Sequence, residues 1–175
     1  MVKAGVDFGK LKFLVVDDNR FMREICRAML FSFGTRDVLE AADGADALEQ
    51  FKDNAPDIVV LDLAMPILDG FDVMRFMRDR ATSPNPYVSI LVLSAHAERR
   101  QVIAARDAGA NEYLIKPVSA NALYTRVASM VLAPRPFVET KSFFGPDRRR
   151  FVNPQFNGPE RREMTVPDHL IELAG

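Results

Sequence analysis

Short apolar runs alternate with longer segments of helical spacing from Lys12 to about Ala133. Brief apolar runs between turn signals are typical of buried strands, and their alternation with helices is typical of a parallel sheet. The pattern therefore predicts an α/β fold built from five strand–helix pairs. The five predicted strands are Lys12–Val16, Asp37–Ala41, Asp57–Leu61, Ile90–Leu93 and Tyr113–Ile115.

The segments between these runs carry helix spacing and end signals. Asn19 is a good N-cap for a first helix, and Gly34 marks where that helix stops. Gly109 is suited to the left-handed conformation at the end of another helix. The predicted helices begin after Asn19, at Ala45 and at Phe71, and then run from about Glu98 to Ala108 and from Ser119 to Val131.

Polar side chains follow four of the predicted strands at the point where each strand ends. They are Asp17 and Asp18, Asp62, Ser94 and Lys116. The carboxyl ends of parallel strands share one crevice, where ligands bind in this type of sheet. We therefore expect three carboxylates, a hydroxyl and an ammonium group at one edge, a set that can hold a divalent cation and a phosphoryl group.

The chemistry of this set favours magnesium and phosphoryl transfer. Adjacent carboxylates repel one another unless a cation lies among them, and Mg²⁺ prefers oxygen ligands. A carboxylate such as that of Asp62 can act as a nucleophile and form an aspartyl phosphate. Taken singly, Asp18 suits a helix cap, Ser94 a structural hydroxyl and Lys116 a turn before Pro117, but their joint occurrence at four strand ends favours a site.

The chain from residue 10 to residue 133 resembles a receiver domain of two-component response regulators, of the chemotaxis-regulator type. The resemblance implies a flavodoxin-like, doubly wound (βα)5 fold with a five-stranded parallel sheet in the order 2-1-3-4-5. It rests on the stretches Leu14–Asn19, Asp62–Gly70, Leu93–Ala95 and Ala108–Pro117.

The same resemblance implies roles for the residues at the strand ends. Asp62 would accept a phosphoryl group from a phosphohistidine on a sensor histidine kinase or a histidine phosphotransfer protein. Ser94 and Lys116 would contact the phosphoryl oxygens, and the Lys116–Pro117 bond would be cis. The implied magnesium ligands are Asp17, Asp18, Asp62 and the backbone carbonyl of Ala64.

A conformational switch and a phosphate lifetime are also implied by the resemblance. Phosphorylation would draw Ser94 inward, and Tyr113 would rotate into the space vacated. Ala64 and His96 occupy the two positions that tune loss of phosphate in this family. Ala64 has no side chain that could hydrogen-bond an attacking water, and His96 is a bulky group near the mouth of the crevice.

Composition limits the other functions that need to be considered. A net charge of −1 gives no global sign of a nucleic-acid or membrane partner. The single cysteine, Cys26, lies in an apolar helical pattern and is expected to be a buried thiol. Because the sequence has neither a signal-peptide pattern nor a run of about 18 apolar residues, we expect a cytoplasmic protein.

The character of the sequence changes at Pro134. Residues 134–175 hold six of the eleven prolines and no long periodic segment, so we predict an irregular extension without an output domain. It contains five phenylalanines and an imperfect repeat, Phe144–Arg149 and Asn157–Arg162. We expect a strap that lies on its own receiver or a neighbouring one, or that captures a partner, and homodimerisation stays open.

The leading interpretation is a stand-alone response regulator, a phosphoacceptor rather than an enzyme, whose output is a contact with a downstream protein. One alternative is a scaffold that uses the fold without phosphorylation. Another is a magnesium-dependent phosphohydrolase with Asp62 as nucleophile. Such hydrolases usually place a general-acid aspartate two residues after the nucleophile, where this chain has Ala64.

Overall fold

A five-stranded parallel sheet forms the centre of the molecule in this computed structural model, which describes residues 6–149 and 163–165. The strand order is β2-β1-β3-β4-β5, as expected. The strands are β1 Lys12–Val16, β2 Asp37–Ala41, β3 Ile58–Asp62, β4 Ser89–Ser94 and β5 Glu112–Ile115. The helices are α1 Arg20–Ser32, α2 Gly44–Asn54, α3 Gly70–Arg78, α4 Arg99–Asp107 and α5 Ala120–Leu132, and a short 3-10 turn spans Phe8–Lys10.

Alternate residues of the strands feed two hydrophobic cores, one on each face of the sheet. In β3, Val59 and Leu61 join the core under α2, α3 and α4, whereas Ile58 and Val60 join the core under α1 and α5. Successive side chains of a strand point to opposite faces, so a strand covered on both sides must be apolar throughout. This explains why the central runs are continuous rather than alternating.

The predicted helix ends are confirmed. Asn19 accepts a hydrogen bond from the backbone N–H of Phe21 at 3.0 Å, and Ser119 accepts one from that of Ala122 at 3.2 Å. Gly109 has a φ of +99°, a left-handed conformation that favours glycine. Cys26 is buried as expected, and burial raises the pKa of its thiol to about 11.

The extension differs from the irregular segment that we predicted. Three short strands, β6 Phe137–Thr140, β7 Phe143–Pro146 and β8 Glu163–Thr165, form a second, antiparallel sheet in the order β7-β6-β8. A loop of only Lys141 and Ser142 joins β6 to β7. Two-residue hairpin loops are normally marked by Asn-Gly or a similar pair. Without that signal, the hairpin could not be recognised from the sequence.

The hairpin packs against the domain of the parallel sheet, at the amino ends of β4 and β5. Phe137 is 1% exposed, and its ring lies 5.1 Å from that of Tyr87 and 5.5 Å from that of Phe144. Arg148 pairs with Asp107 at 3.0 Å. The described part of the extension therefore lies on its own receiver, at the end of the sheet remote from Asp62.

Two parts of the prediction for the extension fall on other residues. The second copy of the repeat, 157–162, and the phenylalanines Phe151 and Phe156 lie outside the described residues. Within the part of the chain that is described, no helix combines the length and the apolar character needed to cross a membrane.

Candidate functional site

The predicted site residues meet at the carboxyl ends of four neighbouring strands. Asp17 directly follows β1, Asp62 ends β3, Ser94 ends β4 and Lys116 directly follows β5. Asp17, Asp62 and Ser94 are buried, whereas Asp18 is exposed at the mouth of the crevice. The order of the strands thus brings together side chains that are up to 99 residues apart in sequence.

The loop after β3 is shaped so that α3 can begin close against the end of β3. A Cβ atom on Gly70 would collide with the backbone carbonyl of Asp62 and would lie 2.8 Å from Cα of Leu63, so this position requires glycine. Asp69 caps α3 by accepting a hydrogen bond from the N–H of Asp72 at 2.9 Å. In the same loop, Ile67 is fully exposed with a positive φ of 68°.

Lys116 joins the two buried carboxylates. Its Nζ atom donates a hydrogen bond to Asp17 Oδ2 at 2.7 Å and lies 3.2 Å from Asp62 Oδ2. The Lys116–Pro117 peptide bond is cis, as the resemblance implied. One ammonium group therefore offsets part of the repulsion between Asp17 and Asp62, a contact that strand-end spacing alone did not predict.

The surroundings of Asp62 stabilise its charged carboxylate only poorly. Burial raises the pKa of Asp62, the ammonium group of Lys116 lowers it, and the charge of Asp17 raises it again, so the pKa lies above its usual value. Burial lowers the pKa of Lys116, but the hydrogen bond to Asp17 and the charge of Asp62 outweigh it and raise that pKa. Lys116 therefore stays charged, while the crevice holds more negative charge than one ammonium group can neutralise.

The acidic cluster fits a magnesium ion. One carboxylate oxygen each from Asp17, Asp18 and Asp62 lies within 4.8 Å of the other two. Hard oxygen donors that are partly buried and partly open to water are the type of ligand set that Mg²⁺ accepts. The backbone N–H of Ala64 hydrogen-bonds the Asp62 carboxylate, and Ala64 itself is exposed at this mouth. A ligand role for its carbonyl stays a prediction.

Ser94 and Tyr113 converge on the same neighbour. The hydroxyl of Ser94 accepts a hydrogen bond from the backbone N–H of His96 at 3.1 Å. The hydroxyl of Tyr113 donates to the backbone carbonyl of His96 at 2.8 Å. The two predicted switch residues are therefore linked through one peptide segment, and the His96 imidazole lies outside it, 3.5 Å from Glu98.

A buried cation at the opposite end of the sheet was missed in the sequence. Arg78 is 6% exposed, and burial lowers the pKa of its guanidinium to about 9, so it stays charged at neutral pH. Its spacing four residues after buried Met74 was a signal that it lies on the inner face of α3. Arginine side chains are mostly exposed, so the spacing alone was not enough to predict that Arg78 is buried.

Comparisons with known proteins agree with this geometry. The family model of the response regulator receiver domain matches residues 13–128. Response regulator MprA of Mycobacterium sp. (strain KMS) is 41% identical over 121 residues, which are 69% of this chain and 50% of that protein. The chain thus spans about half the length of the curated relatives it matches.

Solved structures of similar fold match this chain over most of their own length. The Vibrio cholerae chemotaxis protein CheY4 matches with a TM-score of 0.61 and 26% identity, over 67% of this chain and 95% of its own. The receiver domain of the sensor histidine kinase PA1611 from Pseudomonas aeruginosa, solved with a magnesium ion coordinated in its active-site cleft, matches with a TM-score of 0.60 and 32% identity, over 68% and 94%. The chain therefore belongs to the response regulator receiver domain family of two-component signalling.

Proposed function

We propose that this protein is a response regulator of a two-component phosphorelay. Asp62 accepts a phosphoryl group from a sensor histidine kinase or a histidine phosphotransfer protein, and the phosphorylated form signals through contacts with a downstream protein. The observation that carries this proposal is the bridge of Lys116 between buried Asp17 and Asp62, with Asp18 beside them. Membership of the receiver family supports the same assignment.

The proposed transfer follows from the positions of these groups. A carboxylate oxygen of Asp62 attacks the phosphorus atom, the phosphorus–nitrogen bond of the phosphohistidine breaks, and its electron pair stays on the donor's imidazole. Lys116 and the Ser94 hydroxyl are placed to bind oxygens of the transferred group, whose charge they offset. When bound, magnesium would be held by Asp17, Asp18 and Asp62, with the Ala64 carbonyl, and would supply further positive charge to the transferred group.

The switch that we propose involves α4. Of the nine residues of α4 only Ala105 is buried, and its N-cap residue Glu98 makes no capping hydrogen bond through its side chain. A helix with so little buried surface can be repositioned at low cost in free energy. Because Ser94 and Tyr113 both hold the His96 segment just before α4, movement of Ser94 toward a phosphoryl group would reach α4 through that segment.

The proposed division of the chain is a receiver at residues 10–133 and an extension at residues 134–175. We regard the protein as a cytoplasmic phosphoacceptor rather than an enzyme. An aspartate-nucleophile phosphohydrolase is disfavoured because Ala64 stands where a general acid would be needed. The expectation of no nucleic-acid partner is not carried forward, since the curated relatives are about twice as long as the part matched here.

The test is labelling of the full chain by acetyl phosphate with Mg²⁺, followed by intact mass and peptide mapping. We expect one phosphoryl group on the peptide that contains Asp62 and none in the variant Asp62→Asn. Asp69→Asn is the matched control, because asparagine also caps a helix well, and it should be labelled like the wild type. Equal labelling of Asp62→Asn and the wild type would overturn the assignment.

A further inference from the structure

A surface pocket lies where the receiver meets the extension. Its volume is about 450 Å³, which is within the range of small-molecule sites. It is formed by the end of α5, the segment that follows α5, Arg149 and Glu112 at the start of β5. Glu112 and Lys116 stand at opposite ends of β5, roughly 13 Å apart at the rise of a strand. The pocket is therefore separate from the acidic crevice.

The residues that line this pocket carry excess positive charge. Three arginines, Arg126, Arg135 and Arg149, face one carboxylate, that of Glu112. The other lining residues in the described part of the chain are uncharged: Ser129 contributes a hydroxyl group, and Ala133, Pro134 and Pro136 contribute apolar surface. A pocket of this charge attracts an anion, and its apolar side has room for an organic group attached to that anion.

Glu112 holds two of the arginines in fixed positions. Arg126 Nη1 lies 3.0 Å from Glu112 Oε2, and Arg135 Nη2 lies 3.0 Å from Glu112 Oε1. The carboxylate is buried, whereas the side chains of Arg126 and Arg135 are 37% and 21% exposed. Each guanidinium has five N–H donors, so donors remain beyond these two bonds. The pair is thus ordered before any ligand arrives, which lowers the entropic cost of binding.

The shape of the donors favours phosphate over other anions. A guanidinium presents a planar fork that matches two oxygens of a phosphate group. Two such forks side by side suit a doubly charged phosphate better than a single carboxylate. Arg149 is engaged in a contact of its own, so the site depends on Arg126 and Arg135.

We propose that this pocket binds a phosphate monoester of a small organic molecule, up to the size of a nucleoside monophosphate. The phosphate lies against Arg126 and Arg135, with the Ser129 hydroxyl as a further donor. The organic part lies against Ala133, Pro134 and Pro136. Such a site would make the junction between receiver and extension a second input to the protein, independent of phosphorylation.

The test uses the full chain carrying Asp62→Asn in buffer free of Mg²⁺, so that binding cannot be confused with chemistry at the acidic crevice. Isothermal titration is run with adenosine monophosphate, glycerol phosphate, inorganic phosphate and adenosine. We expect saturable binding of at least one of the two esters, at least tenfold weaker binding of inorganic phosphate, and none of adenosine. If neither ester binds, or if inorganic phosphate binds as tightly as the better ester, the proposal is wrong.

Variants locate the site. Arg135→Gln should weaken binding of the better ester at least tenfold, and Arg135→Lys should weaken it less, because the charge remains while the fork is lost. Arg27→Gln is the matched control, since Arg27 also pairs with a glutamate, Glu40, and should leave binding unchanged. If Arg135→Gln binds as tightly as its parent while both remain folded by circular dichroism, the ester binds elsewhere and the proposal fails.

Discussion

Buried charged groups at the two ends of the central sheet differ in how fully their partners compensate them. At the carboxyl end, the buried carboxylates of Asp17 and Asp62 share the single ammonium group of Lys116, and the pKa of Asp62 is raised. At the amino end of β4, the buried guanidinium of Arg78 is surrounded by acceptors. It donates to the carbonyls of Gly109, Pro86 and Val88 and to the Asn111 side chain at 2.8–3.0 Å.

The difference shows that the carboxylates are suited to bind a ligand, whereas the guanidinium is suited to stabilise the fold. An under-compensated cluster of carboxylates can be stabilised further by a metal ion and can accept a phosphoryl group with its attendant cation. A guanidinium whose donors already meet oxygen atoms, with the ring of Phe137 5.1 Å away, has nothing left to gain from a ligand. The sheet therefore has reactive charge in the acidic crevice and structural charge at Arg78.

The largest effect should come from removing the structural charge. Arg78→Met would leave the buried carbonyls of Gly109 and Val88 and the part-buried carbonyl of Pro86 without this donor, and each buried group that loses its partner costs roughly 1–3 kcal/mol. We expect the free energy of unfolding to fall by about 3 kcal/mol or more, measured by urea denaturation. The fraction that remains folded should still be labelled by acetyl phosphate, since Asp62 lies at the other end of the sheet.

Arg78→Lys sharpens this prediction. It keeps the positive charge but cannot reach the same set of acceptors, because an ammonium group is compact and lacks the planar fork. The free energy of unfolding of Arg78→Lys should therefore lie between those of the wild type and Arg78→Met. A wild-type stability for Arg78→Met would show that the amino end does not depend on this cation.

A smaller effect of opposite sign is expected for the reactive charge. Because the pKa of Asp62 is raised in the folded protein, its contribution to stability is present at pH values below its unfolded pKa and is lost as pH rises through its folded pKa. Without metal, Asp62→Asn should thus be more stable than the wild type at neutral pH, by less than Arg78→Met is destabilised. This difference should disappear in acid.

Urea denaturation at a series of pH values, with and without Mg²⁺, measures this difference. Mg²⁺ should stabilise the wild type more than Asp62→Asn, because a ligand stabilises only the state that binds it. An Asp62→Asn variant that is less stable than the wild type at neutral pH without metal would contradict the view that Asp62 is under-compensated.

The smallest effect is expected at the switch. Tyr113→Phe removes the hydrogen bond from the Tyr113 hydroxyl to the His96 carbonyl. Because this carbonyl can accept a hydrogen bond from water instead, the free energy of unfolding should fall by about 0.5–1.5 kcal/mol or less. Phosphorylation of Asp62 should proceed, whereas hydrogen exchange in α4 should become faster before phosphorylation. If hydrogen exchange in α4 were unchanged in Tyr113→Phe, the Tyr113 hydroxyl would have no effect on this helix.

Much of the fold and the membership of the reactive cluster could be predicted from the sequence. Apolar runs that end in Asp17, Asp62, Ser94 and Lys116 carry both the strand positions and the side chains that meet at one edge. Contacts inside the cluster could not be predicted, because the bridge of Lys116 to Asp17 depends on side-chain reach rather than on spacing. The exposure of Phe21 could not be predicted either: it is an apolar residue in the first turn of α1, yet it is 66% exposed.

The amino end was much harder to predict. The hairpin of the extension lacks a recognisable turn pair, and Arg78 has a residue type that normally favours solvent. Both features make sense only together, because Phe137 of the hairpin covers the guanidinium that the receiver provides. The spacing of Arg78 on α3 indicates its burial, but no pattern in either segment indicates that the two segments pair.

The most direct test of the contrast between the two ends is a titration of the full chain with Mg²⁺, followed residue by residue through the backbone amide signals in NMR spectra. The account predicts saturable shifts at Asp17, Asp18 and Asp62, and none at Arg78 or Phe137. Shifts of equal size at both ends, or no saturable shift at the three aspartates, would contradict the assignment of the carboxyl end as the metal-dependent site.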